Sequence, residues 1–585
     1  MIKNPFKKIL TFILLSFLIF QRNPLPTEAA DFKPHMSIGI WMDTATIPQN
    51  TEKMTKIIDS LKNASISDIY VEVFNKGLTI YPSKVTESYG LPTQKDSFHG
   101  LDPLKTLIDL AHKKDIKVHA WLNLLYVGYK EPGAILDTYP SWEMISRDGS
   151  KGYGLPGAHQ YWISPANPEV RLFLKNLMNE LATLYELDGI HFDYVRYPDP
   201  IEGDFGYEPD CKEGFIGKHG IDPLTIDIEK VEYGDARSIH NLTLWNIWRK
   251  DKVTELVTLL TEEIKNVNQN ILISAAVAPI GMPNGPFPGL FQEWPVWVKS
   301  GILDYVIPMT YTSRPEELRG LTRWSAFLLE EIHPPICGVQ IWKRKSPKDI
   351  IDQLNVLKEE KALGAVLFAK SYFTLDVKHA IKEYLSLKGD PGDSPFGDRE
   401  SPDNQAPILL STTIYSKIER PIIEIPFTPL PSSIEDNLFD DPWLNAAFLE
   451  LSQDVMKPNR KWLSENPKVK ITYNKEGIYM DFSVKLAEPI LKQEYTTRDS
   501  PVFYEDSFEI FIDPFSEGSL FFHFAFNMLG TKYDATRLKG AAWNGDWDVV
   551  CQVKDGTWHS KVFIPFHTFG LHLKDPNNSN DLNEF

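Results

Sequence analysis

Gly189-Ile190-His191-Phe192-Asp193-Tyr194-Val195-Arg196-Tyr197-Pro198 is a short, largely apolar run of the kind that forms a buried strand. Period-two alternation puts His191 and Asp193 on one face of that strand, with Asp193 near its C-terminal end. Runs of the same kind recur on both sides, at 38–41, 68–74, 117–124, 189–196, 271–279, 304–312, 336–342 and 365–372. Amphipathic stretches of helical length lie between them, as at 50–63, 103–114, 168–185, 245–266 and 348–361. Eight strands, each followed by a helix, predict an α/β fold of the (β/α)8 barrel type. An open doubly wound sheet would carry a Gly-rich phosphate turn after its first strand, and Trp41-Met42-Asp43-Thr44 is not one.

In such a barrel the loops at the C-terminal strand ends build the site, so a carboxylate at Asp193 is expected at the barrel mouth. Arg196 and Tyr197 follow closely enough to keep that carboxylate ionised, as nucleophile or charge stabiliser. The structural alternative is an Asp paired with Arg196 to lock a loop. On the third strand His119, Trp121 and Asn123 share a face, mixing hydrogen-bonding groups with an aromatic plate as a sugar site would. His119 serves equally well as barrel filling. The second strand offers Glu72 and, on the opposite face or past its end, Asn75.

Glycoside cleavage ordinarily uses two carboxyl groups. Glu293 after the fifth strand and Glu72 are both candidates to partner Asp193, Glu293 serving equally as a first-turn helix acid. His191, Tyr311, Gln340, Trp342 and Lys370 near strand ends are candidate sugar contacts. No His-Glu-x-x-His, Gly-x-Ser-x-Gly or P-loop pattern occurs, so metalloprotease, serine hydrolase and nucleotide chemistry lack their residues, and no metal or cofactor is expected.

At 585 residues the chain exceeds one hydrophobic core, so a large and a smaller domain are expected. Its net charge of −18 argues against a nucleic-acid partner. Residues 1–29 read as an export signal: Lys3, Lys7 and Lys8 precede the apolar run 9–20, too short to span a bilayer, and small residues at Thr27 and Ala29 suit a cut after Ala29. The alternative is an uncleaved anchor. A mature protein outside the cytoplasm, with no stable membrane span, is the expectation. Cys211, Cys337 and Cys551 lie far apart and allow at most one bridge. The barrel is expected at 30–387, followed by a Pro-rich linker at 388–431 and an all-β sandwich at 432–585, whose alternating segments begin at Lys468.

Three stretches carry a family resemblance: Asp188 to Pro198, His119-Ala120-Trp121-Leu122-Asn123, and Phe291-Gln292-Glu293-Trp294 running into Asp304 to Tyr311. From about Met36 to Tyr372 the chain resembles the family-10-like glycosyl hydrolases, which are exported bacterial barrels. The resemblance implies hydrolysis of O-glycosidic bonds in an extracytoplasmic polysaccharide or in peptidoglycan glycan strands. Many relatives have two adjacent Asp residues where this chain has Asp193-Tyr194, so a mechanism using the second Asp does not transfer. Relatives often carry Asp where Glu293 stands. The C-terminal part is similar to family-9-like carbohydrate-binding domains in Asp440-Asp441-Pro442-Trp443, in Asp506 to Pro514, and in Trp543-Asn544-Gly545-Asp546-Trp547. Trp543 and Trp547 are candidates to stack on sugar rings, with core packing as the alternative. A non-catalytic glycan-binding surface protein and a transglycosylase on the same barrel remain the competing functions.

Overall fold

The computed structural model describes residues 36–154, 158–199, 203–232, 236–279, 290–329, 333–342, 346–388, 425, 447–450, 467–486, 494–502, 507–512, 522–536 and 543–569. The expected export signal lies outside them, as does the linker apart from Lys388 and Ile425. Two compact units divide the chain.

The first unit is the barrel. Its strands are β1 (Ser37–Met42), β2 (Asp68–Asn75), β3 (Lys117–Asn123), β4 (Gly189–Asp193), β5 (Leu272–Val277), β6 (Tyr305–Pro308), β7 (Ile336–Gln340) and β8 (Gly364–Phe368). Each expected run contains one of them, apart from residues at some ends. The helices that follow them are α1 (Thr51–Lys62), α2 (Pro103–His112), α3 (Pro168–Leu184), α4 (Ala236–Val267), α5 (Trp294–Lys299), α6 (Pro315–Leu328), α7 (Pro347–Glu359) and α8 (Leu375–Lys388). The parallel order is β7-β8-β1-β2-β3-β4-β5-β6, and Thr310 Oγ1 donates to Gly338 O at 2.9 Å across the remaining seam. The ring is thereby nearly closed.

Helix α3 shows why these segments are helical. Asn167 accepts hydrogen bonds from the backbone N–H groups of Glu169 and Val170, and Pro168 takes the first helical position, where a missing N–H costs nothing. Val170, Phe173, Leu174, Leu177 and Leu181 then form one stripe at helical spacing, buried in a single cluster with Ile190 and Phe192 of β4. The outward residues of β4 thus meet helices, and His191 and Asp193 point inward.

The barrel interior is filled by Trp41, Tyr70, Trp121, Tyr305, Ile307 and Val366. His119 is stacked on Tyr70 (ring centroids 4.6 Å apart) and its Nε2 lies 3.2 Å from Asp68 Oδ1. That clamped ring needs the space that Gly189 leaves: a Cβ there would fall 2.1 Å from His119 Nδ1 and 2.9 Å from Leu272 O.

The second unit contains two antiparallel sheets. One runs in the order β9 (Ala447–Glu450), β10 (Lys468–Tyr473), β11 (Gly477–Lys485), β16 (Thr557–Pro565), β15 (Asp548–Lys554), and the other is β12 (Ser507–Ile512), β13 (Phe522–Asn527), β14 (Lys532–Thr536). Alternate residues of both sheets, such as Met480, Phe482, Phe508, Ile510 and Phe526, share one core, as in a sandwich. The three cysteines are unbridged.

Gly189→Ala is expected to destabilise the barrel by about 1–3 kcal/mol through overpacking. Urea unfolding measures this, and an unchanged midpoint would show that the His119 ring has room to move.

Candidate active site

The C-terminal ends of the strands open into a cavity of about 550 Å³. Its two sides differ in chemistry. Strands β1 to β4 and the turns after them supply Asp43, Thr44, Glu72, Asn75, Asn123 and Asp193. Strands β5 to β8 and their turns supply Ala276, Met309, Tyr311 and Phe368, and the indoles of Trp41 and Trp121 also line the space. Ala45, Lys76, Lys95, Tyr126, Tyr194 and Arg196 complete the lining.

Backbone irregularities aim the polar groups. The β2–β3 register shifts between Glu72 and Phe74, so Glu72 pairs with Trp121 and Phe74 with Leu122. This inserted residue reverses the alternation, and Asn75, expected opposite to Glu72 or beyond the strand, joins it on the cavity. Asn123 and Asp193 are direct neighbours across β3 and β4. The sheet run is shorter than the expected 189–196, because Tyr194 takes a left-handed backbone conformation (φ 49°) immediately after Asp193.

Glu72 is 5% exposed, and donors address both its oxygens. Thr44 N and Thr44 Oγ1 each lie 2.7 Å from Oε2, and Asn123 Nδ2 donates to Oε1 at 3.0 Å. Asp193, 7% exposed, accepts from Trp121 Nε1 at 3.2 Å and from the Tyr194 N–H at 2.6 Å. Burial raises the Asp193 pKa above the ordinary carboxylate range, and the Glu72 charge adds to this. Arg196 and the two hydrogen bonds pull the other way and do not win. Arg196 acts in the direction expected from the sequence, yet it closes no ion pair with Asp193 within 4.0 Å. The Arg196 guanidinium instead sits over the Tyr194 ring, 4.8 Å from its centroid, and the Tyr197 hydroxyl faces Cys211 Sγ at 3.8 Å.

The cavity therefore gathers Asp193, Glu72, Asn75, Trp121, Asn123, Arg196 and Tyr311 from the candidates. It does not gather His119 or His191, which fill the barrel interior. Trp41 Nε1 donates to His191 Nε2 at 3.2 Å, and His191 Nδ1 lies 2.8 Å from Ser274 Oγ, so both ring nitrogens are taken. Burial and the neighbouring His119 push the His191 pKa well down, leaving it neutral. Glu293 is not among the lining residues and pairs with Lys250 Nζ at 2.6 Å. Tyr197, 1% exposed, meets Phe291 edge-on at 5.2 Å. Gln340 is buried in β7 outside the lining. Trp342 props Tyr311 edge-on at 4.9 Å, and Lys370 lies in a short 3-10 helix after β8. In the second unit Trp547 is 1% exposed and packs on Phe524 and Phe526, so it presents no free face to a sugar. Trp543 is half-buried against Phe522 and Phe524.

Asp43, Thr44, Lys76, Lys95, Tyr126 and Tyr194 also line the cavity and were not singled out from the sequence. Asp43 and Thr44 stand directly after β1, a position that marks them as mouth residues in any barrel.

The model of the glycosyl hydrolase-like 10 family matches this chain from residue 37 to residue 326, which takes in β1 to β6 with all the carboxylates of the cavity. Residues 37–326 belong to that family. Glycosyl hydrolase DigH of Escherichia coli is 24% identical over 399 residues, covering 61% of this chain and 84% of the relative. Glycosyl hydrolase YngK of Bacillus subtilis is 24% identical over 294 residues, covering 46% and 50% respectively. Among solved structures, the catalytic domain of a beta-amylase from Paenibacillus polymyxa aligns with 11% identity and a TM-score of 0.44, covering 61% of this chain and 99% of that one.

The raised Asp193 pKa in this glycosyl hydrolase-like 10 barrel has a consequence for stability. The folded state holds this proton more tightly than the unfolded chain does, so the contribution is complete below the unfolded value, about 3.9. It is lost as pH climbs through the folded value. Asp193→Asn is therefore expected to gain stability relative to the wild type between pH 4 and pH 7. Urea unfolding at several pH values measures the difference, and a flat one would show that burial does not control this carboxyl.

Proposed function

We propose that this chain hydrolyses O-glycosidic bonds of a glycan, with Asp193 as general acid and Glu72 as the second carboxyl group. Family membership supports glycan hydrolysis as the reaction class. The observation that carries the assignment is a pair of buried carboxyls in one cavity with contrasting surroundings. Asp193 is desolvated, which raises its pKa, whereas Glu72 is met by hydrogen-bond donors at both oxygens. A non-catalytic glycan binder has no need of such a pair.

The chemistry follows from these environments. Asp193 gives its proton to the glycosidic oxygen as the bond from that oxygen to the anomeric carbon breaks, so the leaving sugar departs as an alcohol and Asp193 becomes a carboxylate. Glu72 faces the positive charge developing at the anomeric carbon. It either bonds to that carbon, in which case water later releases the sugar, or takes the proton of the attacking water, and the carboxyl separation decides between these. Thr44 and Asn123 hold Glu72 in place at no cost during the reaction. The apolar wall of Tyr311, Phe368 and Met309 suits the C–H face of a pyranose, and the polar wall its hydroxyls. The export-signal pattern at 1–29 supports action outside the cytoplasm, on a polysaccharide or on peptidoglycan glycan strands.

Asp193→Asn and Glu72→Gln are each expected to lower turnover on the order of 10²–10⁴-fold. Glu293→Gln should leave it within about threefold, a change of under 1 kcal/mol in the barrier. The assay is reducing-end release from the polysaccharide that a substrate panel identifies, and wild-type turnover in Asp193→Asn sinks the assignment. Trp121→Phe removes a donor from the Asp193 carboxylate, raises its pKa further, and should move the alkaline limb of the pH–rate profile to higher pH.

A further inference from the structure

A short hairpin carries the cavity wall outward. Its strand Tyr126–Tyr129 pairs with Gln160–Trp162, and Tyr126 at one end lines the cavity. Tyr129 at the other end is 41% exposed. At about 3.3 Å per residue the two side chains are anchored roughly 10 Å apart, so Tyr129 stands outside the cavity lining. Two ammonium groups attend the outer ring. Lys76 Nζ lies 5.0 Å and Lys130 Nζ 5.7 Å from the Tyr129 centroid, and Lys76 also lines the cavity, as does Lys95.

These lysines are unlike many others on the surface. Lys56, Lys84 and Lys348 each pair with a carboxylate three or four residues away, as expected in a chain of net charge −18. Among the described residues, Lys76, Lys95 and Lys130 close no ion pair within 4.0 Å, although Glu131 adjoins Lys130 in the sequence. Lys76 and Lys130 also sit in the left-handed backbone region, with φ of 52° and 67°, where Gly or Asn is far easier to place. The chain keeps a long cationic side chain at both positions, and the Tyr129 ring holds both ammoniums at the cavity edge by cation–π attraction.

We infer that Tyr129, Lys76 and Lys130 form an outer subsite that takes an anionic substituent, a carboxylate or a sulfate, on a sugar unit next to those in the cavity. This rests on the glycan reading above. An exposed ammonium held against a ring retains open hydrogen-bond donors, and an anion supplies the acceptor that the protein does not. The substrate then extends past the cavity on the side of this hairpin.

The test is retention of the full chain on a glycan array that holds uronate-, sialate-, muramate- and sulfate-bearing saccharides beside neutral ones. Wild type is compared with Lys76→Met/Lys130→Met and with Lys76→Arg/Lys130→Arg, and circular dichroism confirms the fold of each. Acidic saccharides should be retained by the wild type and the Arg form and lost by about tenfold or more in the Met form, about 1.4 kcal/mol. The carboxylate and sulfate arms separate the two anions. Retention of neutral saccharides alone, or equal retention of acidic ones by the Met form, overturns the subsite and leaves the glycan reading standing. Absence of any retained saccharide for every form overturns the glycan reading and the subsite with it.

Discussion

The indole N–H of Trp41 can only donate, and its partner in the barrel interior is His191 Nε2. That one bond sets the protons around it. His191 must carry its hydrogen on Nδ1 and gives it to Ser274, and Ser274 in turn bonds the Tyr305 hydroxyl. The Tyr305 hydroxyl also bonds the Tyr70 hydroxyl at 3.0 Å and faces His119 Nδ1 at 3.4 Å, while His119 Nε2 faces Asp68. The interior is thus a connected chain in which each of these polar groups has a partner, as a buried network requires. Gly189 supplies the space without which the His119 ring could not stand in the chain.

Because this network occupies both histidines, neither lines the cavity above, where the carboxyls of Asp43, Glu72 and Asp193 stand. Depth along β4 separates the two functions: His191 belongs to the network, and Asp193, two residues on, belongs to the cavity. Depth also explains the raised Asp193 pKa. The carboxyl is far enough inside to lose water, yet its ring and backbone donors are too few to compensate burial. At Glu72 the Thr44 backbone and hydroxyl and the Asn123 amide all converge on the carboxyl.

Hydrophobic periodicity made the eight strands, their helices and most of the sandwich strands legible, since both faces of a barrel strand are buried and the runs are continuous. Position at a strand end located Asp193 in the same way. Alternation alone gave a face but no depth, so His119 and His191 looked like sugar contacts until their partners could be seen. Asn75 depended on a register shift that has no signature in residue types. Glu293 was a candidate from its place after β5, but it does not line the cavity and pairs instead with Lys250. Trp547 illustrates the same limit in the sandwich, where an aromatic suited to stacking on sugar is equally suited to a core.

The unequal walls of the cavity bear on how such a protein can diversify. Every carboxyl that lines it comes from β1, β2 or β4 or the turns after them, while Ala276, Met309, Tyr311 and Phe368 come from the opposite half of the ring. Substitutions among these four would reshape the space offered to a sugar without touching a bond to Asp193 or Glu72. The shape of the space can therefore vary on one half of the barrel while the carboxyls are kept on the other, so a change of cavity shape and the retention of its charged groups need not compete for the same residues.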